Sequence, residues 1–329
     1  MEKKKMEEKE ENARTISFLM KKYIELFLKI KYFQGNSLDF NGFFKNQEEK
    51  IVVEKIIVIL EALKINYIQE IDFENSNMGS QGIKYLSEAL KKKLSLKLIY
   101  LKNSNIGNEG MKYLSEALKI NSSLKTIDLS YNNIGNEGMK YLSESLKINS
   151  SLKTINLSYN NIGSDGMKYL SESLKINSSL KTIDLSFNII GSEVMKYLSE
   201  SLKINSSLKT INLSYNKIGD NGIKYLSESL KKNSSLNQIY LQNNKIGDEG
   251  SNYILDTLSY NETLTKIEFK NEDWAQDKNK INGNLKKKID VIIKENENNP
   301  EKAKNRVEEN MNKTKKIKFS TIKLVKTFF

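Results

Sequence analysis

The sequence predicts an α/β solenoid, a fold in which short strands and helices alternate along a stack of similar units. The first observation is an internal repeat with a period of 28 residues and no insertion. The second is a change of apolar period inside each unit, from two residues to about 3.6 residues. The eight units begin at Ile68, Leu96, Leu124, Leu152, Leu180, Leu208, Leu236 and Leu264.

The third unit illustrates the local pattern. Ile127 and Leu129 are apolar residues two positions apart, which predicts a short strand with one buried face. Met139, Leu142 and Leu146 follow at helical spacing, so they line one side of a helix. Strand and helix therefore alternate along the chain.

A single unit is too small to fold alone. It buries about seven apolar side chains, worth roughly 10–20 kcal/mol, whereas ordering its backbone costs roughly 28–56 kcal/mol. Stacked units bury their sides against their neighbours. This favours one elongated array with a parallel sheet on one wall and helices on the other.

The pattern Leu-x-x-Leu-x-Leu-x-x-Asn-x-Ile-Gly, continued by leucines at helical spacing, resembles the ribonuclease-inhibitor type of leucine-rich repeat. Nucleotide-binding innate receptors and Ran GTPase-activating proteins share this type. The resemblance covers residues 68–274 and implies a right-handed horseshoe with strands on the concave face and helices on the convex face. It also implies that a buried asparagine column satisfies backbone groups where each strand ends. That column is Asn132, Asn160, Asn188, Asn216 and Asn244, with Ser76 and Ser104 in the first two repeats.

Residues 1–67 are expected to form a helical amino-terminal segment and cap. Residues 1–12 are almost wholly charged and lack the apolar core of a secretory signal. The segment that follows has apolar residues at helical spacing, namely Leu19, Tyr23, Leu26 and Ile30. Such a helix either covers the open side of the first repeat or contacts a membrane or partner. Residues 47–66 resemble the helical half of a repeat and are expected to complete the cap.

Residues 275–329 are expected to form a basic, partly helical carboxy-terminal tail, with 15 Lys or Arg against 7 Asp or Glu. In repeat eight, Phe269 and Trp274 replace aliphatic residues and no helix of the usual sequence follows, which predicts a cap. Leu285–Lys294 is predicted to be helical, and Pro300 to end that helix. A lysine-rich tail attracts anionic membranes and nucleic acids without sequence preference. Nucleic acid is not an expected partner, because the whole chain has only two arginines for base recognition. A tail that is solvated or completes the cap is favoured over membrane contact.

The composition excludes the commonest catalytic groups. The 329 residues include no histidine and no cysteine, so imidazole catalysis, thiol chemistry, disulfides and the usual zinc ligands are unavailable. The Gly-x-x-Gly element recurs with the repeat and is not a phosphate loop. We predict a protein that is not an enzyme and has no cofactor, catalytic residue or metal site. The cytoplasm is the expected location, with secretion by a pathway without a recognisable signal peptide as the alternative.

The concave face is the predicted binding surface, because the inner walls of solenoids usually bind partners. Since Ile127 and Leu129 face the core, residues 126, 128, 130 and 131 and their equivalents form concave columns of threonine, alternating Asp and Asn, serine and aromatic residues. Aromatic residues are enriched at interface hot spots. The alternative is that duplication alone copied these surface residues. The predicted partner-binding residues are Tyr100, Asp128, Tyr131, Asn156, Tyr159, Asp184, Phe187, Asn212, Tyr215 and Tyr240.

Two further columns are predicted to be structural. A tyrosine on each helix can cover the seam between adjacent helices while its hydroxyl stays in water. Its members are Tyr85, Tyr113, Tyr141, Tyr169, Tyr197, Tyr225 and Tyr253. The Asn-Ser-Ser sequences have the form of glycosylation sequons, but they are interpreted as loops that end helices. They begin at Asn121, Asn149, Asn177, Asn205 and Asn233.

These features predict a protein–protein interaction scaffold that binds its partner on the concave face. The net charge of +12 favours an acidic partner, and the protein is expected to be a monomer. A GTPase activator is one alternative by family analogy, although the chain has no arginine within 68–274 and its tail is basic. A secreted effector or adhesin would use the same face. Ribonuclease inhibition is disfavoured because ribonucleases are usually basic.

Overall fold

The computed structural model describes residues 33–34, 37–42, 68–92, 95–270 and 282–328. Side chains are described for all of these except 33–34 and 315–328. The expected amino-terminal amphipathic helix, the half repeat at 47–66 and Trp274 lie outside these residues. No helix in the described part of the chain is both long and apolar enough to cross a membrane.

The strands form one ten-stranded sheet in sequence order. All neighbouring strands are parallel except the first pair, and equivalent residues of successive repeats lie directly opposite one another, as Thr126 does to Thr154. The alternating parallel architecture predicted from the 28-residue period is confirmed. The strands are β1 Phe33–Gln34, β2 Ser37–Asp39, β3 Glu70–Asp72, β4 Leu98–Tyr100, β5 Thr126–Asp128, β6 Thr154–Asn156, β7 Thr182–Asp184, β8 Thr210–Asn212, β9 Gln238–Tyr240 and β10 Lys266–Glu268.

Each strand from β3 to β10 is followed by a helix. In repeat three the helix starts at Gly135, whose φ of 58° lies in the left-handed region that glycine adopts without strain. The helices are α1 Gly79–Lys91, α2 Gly107–Ile120, α3 Gly135–Leu146, α4 Ser164–Leu174, α5 Met195–Leu202, α6 Gly219–Leu230, α7 Asp248–Leu258, α8 Gly283–Asn298 and α9 Pro300–Phe328.

The hydrophobic core lies between the sheet and the helices. In repeat three, Ile127 and Leu129 from the strand side meet Met139, Leu142 and Leu146 from the helix, and all five are at most 1% exposed. The same positions are buried in the neighbouring repeats, so one core runs the length of the array. The opposite face of the sheet, here called the open face, carries no helix among the described residues.

The predicted asparagine column forms a hydrogen-bonded ladder where the strands end. Asn132 donates from its amide to the carbonyls of Leu101, Leu129 and Ser130 at 2.8–3.0 Å. Its side-chain oxygen accepts from the backbone N–H of Ser104 at 3.0 Å. Every bond of this kind satisfies a buried backbone group that would otherwise cost free energy. The structural role that the resemblance implies for the asparagine column is confirmed.

A second asparagine ladder joins the repeats where the helices end. The amide of Asn149 donates to the carbonyls of Leu118 and Asn121 at 2.7 and 3.1 Å. Its side-chain oxygen accepts from the backbone N–H groups of Ser151 and Leu152. Asn149 is only 5% exposed, which confirms the interpretation of the Asn-Ser-Ser sequences as helix-ending loops.

The amino-terminal segment is not helical throughout, contrary to expectation. Residues 37–39 form β2, which pairs in parallel with β3 and places Leu38 opposite Ile71. Phe40 stacks on Phe73 with ring centroids 5.4 Å apart, and Ser76 donates to the carbonyl of Phe40. The sequence feature that indicates β2 is the resemblance of Leu38-Asp39-Phe40 to Ile71-Asp72-Phe73. Their spacing of 33 residues hides it from a search at period 28.

The described part of the carboxy-terminal region continues the stacking of the repeats. Helix α8 follows β10 and packs on α7, so it takes the place of a repeat-eight helix. Asn296 continues the helix-end ladder, because its amide donates to the carbonyls of Asn261 and Leu264 at 3.1 and 2.8 Å. Arg306 on α9 donates to Asn296 at 2.7 Å and pairs with Glu295. The predicted helix at 285–294 is therefore confirmed as part of α8, and it extends the array.

Candidate interaction surface

The ten predicted binding residues lie together in two parallel columns on the open face. The first column occupies the last position of six successive strands, which pair in register. It consists of Tyr100, Asp128, Asn156, Asp184, Asn212 and Tyr240. The second column lies three residues further along each of the four central repeats. We call it the aromatic strip, and it consists of Tyr131, Tyr159, Phe187 and Tyr215.

The four rings of the aromatic strip stack face to face. Their centroids are 3.9–4.0 Å apart and their planes differ by 12–15°. The spacing of parallel strands, about 4.8 Å, brings equivalent side chains of neighbouring repeats this close. Tyr131 is 42% exposed, and the other three rings are half-buried. The ring faces therefore contact one another within the strip, and the ring edges and tyrosine hydroxyl groups face the solvent.

The backbone of the aromatic strip adopts an unusual conformation. All four residues have φ between 53° and 58°, in the left-handed region that bulky side chains rarely occupy. This conformation costs a residue other than glycine about 1–2 kcal/mol, and asparagine is one of the few that tolerate it. The equivalent positions of the flanking repeats carry Asn75, Asn103 and Asn243, which have the same φ.

The Asp and Asn residues of the first column are engaged with each other. Asn156 donates from its amide to Oδ2 of Asp128 at 2.9 Å, and Asn212 donates in the same way to Asp184. The other carboxylate oxygen of Asp128 accepts from the backbone N–H and the hydroxyl of Ser130 at 2.8 and 2.7 Å. Alternation along the column thus replaces repulsion between neighbouring carboxylates with a hydrogen bond.

The serine column does not contribute accessible surface, which corrects the sequence prediction. Ser130, Ser158, Ser186 and Ser214 are between 2% and 8% exposed. The side-chain oxygen of the preceding Asp or Asn accepts the backbone N–H of each serine. The hydroxyls of Ser130 and Ser186 donate to the same Asp, whereas the hydroxyl of Ser214 donates to Gln242 of the next repeat. The column supports the turn beneath the aromatic strip.

The amino-terminal end of the open face is acidic. Asp39 and Asp72 precede Tyr100 in the first column, and Glu70 and Glu74 flank Asp72. Burial raises the pKa of Asp72, and the charge of Asp39 raises it further. The hydrogen bond that the backbone N–H of Glu74 donates to Asp72 lowers this pKa, but by less than burial raises it. Burial and then the charge of Asp72 raise the pKa of Glu74. Burial and the charge of Glu70 raise the pKa of Tyr100. The charges of neighbouring carboxylates thus add to burial in raising these pKa values.

The two ends of the aromatic strip differ from its middle. At one end, Nζ of Lys102 lies over the ring of Tyr131, 5.8 Å from its centroid. In the middle, burial raises the pKa of Tyr159 to about 12, and a hydrogen bond with Tyr131 adds to the effect. Beyond the other end, Nζ of Lys266 lies 5.0 Å from the ring centroid of Tyr240.

The tyrosines on the helices have the partial burial predicted for a seam between helices. Tyr85 and Tyr225 are 38% exposed, and the other five are half-buried. Nζ of Lys84 lies 5.6 Å from the ring centroid of Tyr113, one repeat further along. This column is on the helix side of the core, away from the aromatic strip.

The central repeats match the sequence model of a known family, and two solved structures resemble about half of the chain at low identity. A sequence model of the Leucine Rich repeat family matches residues 121–143, 149–171, 177–199, 205–227 and 232–251. The structure of leiomodin-1 actin-binding site 2 is 20% identical, with a TM-score of 0.43, covering 52% of this chain and 94% of that one. The tropomodulin C-terminal domain from Caenorhabditis elegans is 13% identical, with a TM-score of 0.38, covering 56% and 92%. No curated protein matches the sequence.

The family match falls on the central repeats, where the parallel strands and helices alternate most regularly. Each matched segment begins near the end of one helix and runs through a strand into the next helix. The fold of this chain is therefore a leucine-rich-repeat α/β solenoid.

Proposed function

We propose that the protein is a non-catalytic scaffold that binds another protein on its open face, with the aromatic strip at the centre of the contact. One observation carries the proposal: four partly exposed aromatic rings stand where the backbone is left-handed. Asparagine meets the backbone requirement at lower cost in the flanking repeats. Strain kept at a surface position points to a function for the side chain.

The way the rings are used favours a protein partner over nucleic acid. Single-stranded nucleic acids bind by stacking bases on accessible ring faces. In the aromatic strip the inner faces contact one another at 3.9–4.0 Å, and Lys102 lies over Tyr131 at one end. What the strip offers is a row of ring edges and hydroxyls, which suits the apolar and polar groups of a protein surface.

Local charge modifies the expectation of an acidic partner. The whole chain carries +12, but the open face of β2 and repeat one presents Asp39, Glu70, Asp72 and Glu74. Complementary charge at an interface guides association and excludes wrong partners. We therefore propose that the partner presents a basic region to this end of the face.

The proposal also includes the subtype of the repeat and the cellular location of the protein. From β3 to α8, strands of three residues alternate with α-helices of eight to sixteen residues, and this pairing supports the ribonuclease-inhibitor type of repeat. A chain of 329 residues without cysteine suits a reducing compartment, which supports the cytoplasm as the location.

The test is capture of partners from native lysate by the immobilised full chain, with quantification by mass spectrometry. The variant Tyr159→Ala with Phe187→Ala removes the centre of the aromatic strip. We expect at least one captured protein to fall by roughly tenfold or more, the usual consequence of losing a hot spot. The matched control is Tyr85→Ala with Tyr225→Ala, which removes two partly exposed tyrosines from the helix side.

Captured proteins that depend on the aromatic strip and not on the control tyrosines support the proposal. An identical capture profile for the strip variant and the unmodified chain contradicts it. Circular dichroism and thermal melting of both variants establish that each retains the fold, since the rings lie outside the hydrophobic core.

A further inference from the structure

A row of exposed isoleucines follows the edge of the array where helices lead into strands. Each of four successive repeats has an isoleucine at the same position, directly before the asparagine of its Asn-Ser-Ser sequence. Ile120 is 57% exposed, and the other three are 62% exposed. Scattered exposed apolar residues are ordinary, but here the same exposed side chain recurs at one position in four successive repeats. We call this row the isoleucine edge, and it consists of Ile120, Ile148, Ile176 and Ile204.

The surroundings of the isoleucine edge are basic. In each of these repeats the seven residues from the helix end to the strand start contain two lysines and no acid, as in Lys119–Lys125. The first lysine pairs with a glutamate one helical turn earlier, at 2.6 Å for Lys119 and Glu116. The second lysine of each segment has no acidic partner among the described residues. These second lysines are Lys125, Lys153, Lys181 and Lys209.

The row also ends in positive charge. The same repeat position is occupied by Lys92 before the isoleucines and by Lys232 after them, and both side chains are exposed. The edge therefore combines protruding apolar side chains with lysines beside them and at both ends. Lysine can extend its ammonium group away from apolar surface while its methylenes cover that surface.

Three kinds of surface could cover such an edge, and the charges distinguish them. A second copy of the chain would place lysines opposite lysines between two molecules that each carry +12. An amphipathic helix docks into an apolar groove, whereas side chains that are 57–62% exposed form a ridge. An anionic bilayer accepts apolar side chains at its interface and attracts lysines to its headgroups.

We propose that the isoleucine edge is a peripheral docking site for an anionic membrane surface. The isoleucines enter the boundary between headgroups and acyl chains, and the lysines contact the lipid phosphates and carboxylates. The aromatic strip lies on the open face, away from this edge, so it stays accessible when the edge is engaged. The proposal does not depend on the aromatic strip and can fail or succeed separately.

The test is cosedimentation of the full chain with vesicles of phosphatidylcholine, with and without phosphatidylserine. We expect binding to the anionic vesicles that weakens as salt is raised. The double variant that carries both Ile148→Ser and Ile176→Ser should bind the anionic vesicles less tightly, by on the order of tenfold. Two apolar insertions are lost while every charge is kept. The matched control is Ile189→Ser, which changes an isoleucine that is 51% exposed in a strand-to-helix turn.

Reduced binding by the double variant with unchanged binding by the control supports the proposal. Equal binding by the unmodified chain and the double variant overturns it and assigns the attraction to another basic region, such as α9. No binding to anionic vesicles at low salt also overturns it. A concentration-dependent dimer that the double variant abolishes, seen by analytical ultracentrifugation, overturns it in favour of a second copy. Thermal melting of both variants shows that loss of binding is not loss of fold.

Discussion

The turn that follows each strand has one left-handed position whose side chain differs in kind between the central and the flanking repeats. Repeats three to six place an aromatic ring there, whereas repeats one, two and seven place Asn75, Asn103 and Asn243. The backbone is left-handed in both groups, with φ between 52° and 58°. The turn is thus a property of the scaffold, and the side chain on it varies independently.

The flanking asparagines show what the turn needs for stability alone. Asn103 donates from its amide to the side-chain oxygen of Asn75 at 2.8 Å, and Asn75 donates to Asn41 at 3.2 Å. These residues combine a favourable backbone preference with a side-chain ladder. The central repeats exchange both for stacked rings. The difference teaches that the array keeps one architecture while its surface is specialised over four repeats.

The largest expected effect comes from removing the core beneath the aromatic strip. Leu157 is fully buried, so Leu157→Asp places a charge without a partner in the core of repeat four. We expect a loss of more than about 4 kcal/mol. Because each repeat is stabilised by its neighbours, the loss should extend to adjacent repeats. Circular dichroism during thermal unfolding measures it.

Lys153→Asp is the matched control for Leu157→Asp, because it introduces the same carboxylate on the helix-to-strand edge of the same repeat. It should leave the melting temperature nearly unchanged. Equal melting temperatures for the two variants would contradict the assignment of Leu157 to a core shared by neighbouring repeats.

Periodicity made much of this architecture predictable. Ile127, Leu129 and Asn132 recur every 28 residues, so one interpretation applied to the array predicts its strands, core and ladder. The departures from that period explain what was missed. Leu38 stands 33 residues before its partner Ile71, and Asn296 stands 35 residues after Asn261. A pattern search at fixed spacing passes over both, although their contacts belong to the array.

The candidate site was predictable as a set of columns but not in its details. The sequence places Tyr159 and Phe187 at equivalent positions, and parallel register then brings their rings together. Nothing in a tyrosine or phenylalanine indicates a left-handed backbone, because the turn around it imposes that conformation. The burial of Ser130 and the bond between Asn156 and Asp128 likewise depend on the direction in which each turn carries its side chains.

An intermediate effect is expected when the central repeats are converted to the flanking type. Tyr159→Asn with Phe187→Asn relieves left-handed strain of about 1–2 kcal/mol at each position. The change also removes three ring contacts, each worth about 0.5–1.5 kcal/mol. The free energy of unfolding should therefore change by no more than about 2.5 kcal/mol in either direction. Binding of a partner that depends on the aromatic strip should be lost.

The reverse exchange, Asn103→Tyr, sharpens the same comparison. It introduces a ring into a flanking turn next to Tyr131, at the cost of strain and of the bond to Asn75. This variant should be less stable than the unmodified chain in urea unfolding. A large destabilisation by the double asparagine variant, comparable with that of Leu157→Asp, would show that the rings hold the fold together rather than serve a surface role.

The smallest effect concerns the ionisation of a ring inside the strip. Burial first, and then the hydrogen bond with Tyr131, raise the pKa of Tyr159 from 10.0 to about 12. Unfolded chains lose this proton near pH 10, so the favourable contribution is complete below that pH and declines as the pH rises toward 12. Ultraviolet titration of tyrosinate, as the difference between the unmodified chain and Tyr159→Phe, should show one group ionising near pH 12. Tyr131→Phe should lower the pKa of Tyr159 only in part, because burial is the larger cause. A midpoint for Tyr159 equal to that of the urea-unfolded chain would contradict the close packing of the strip.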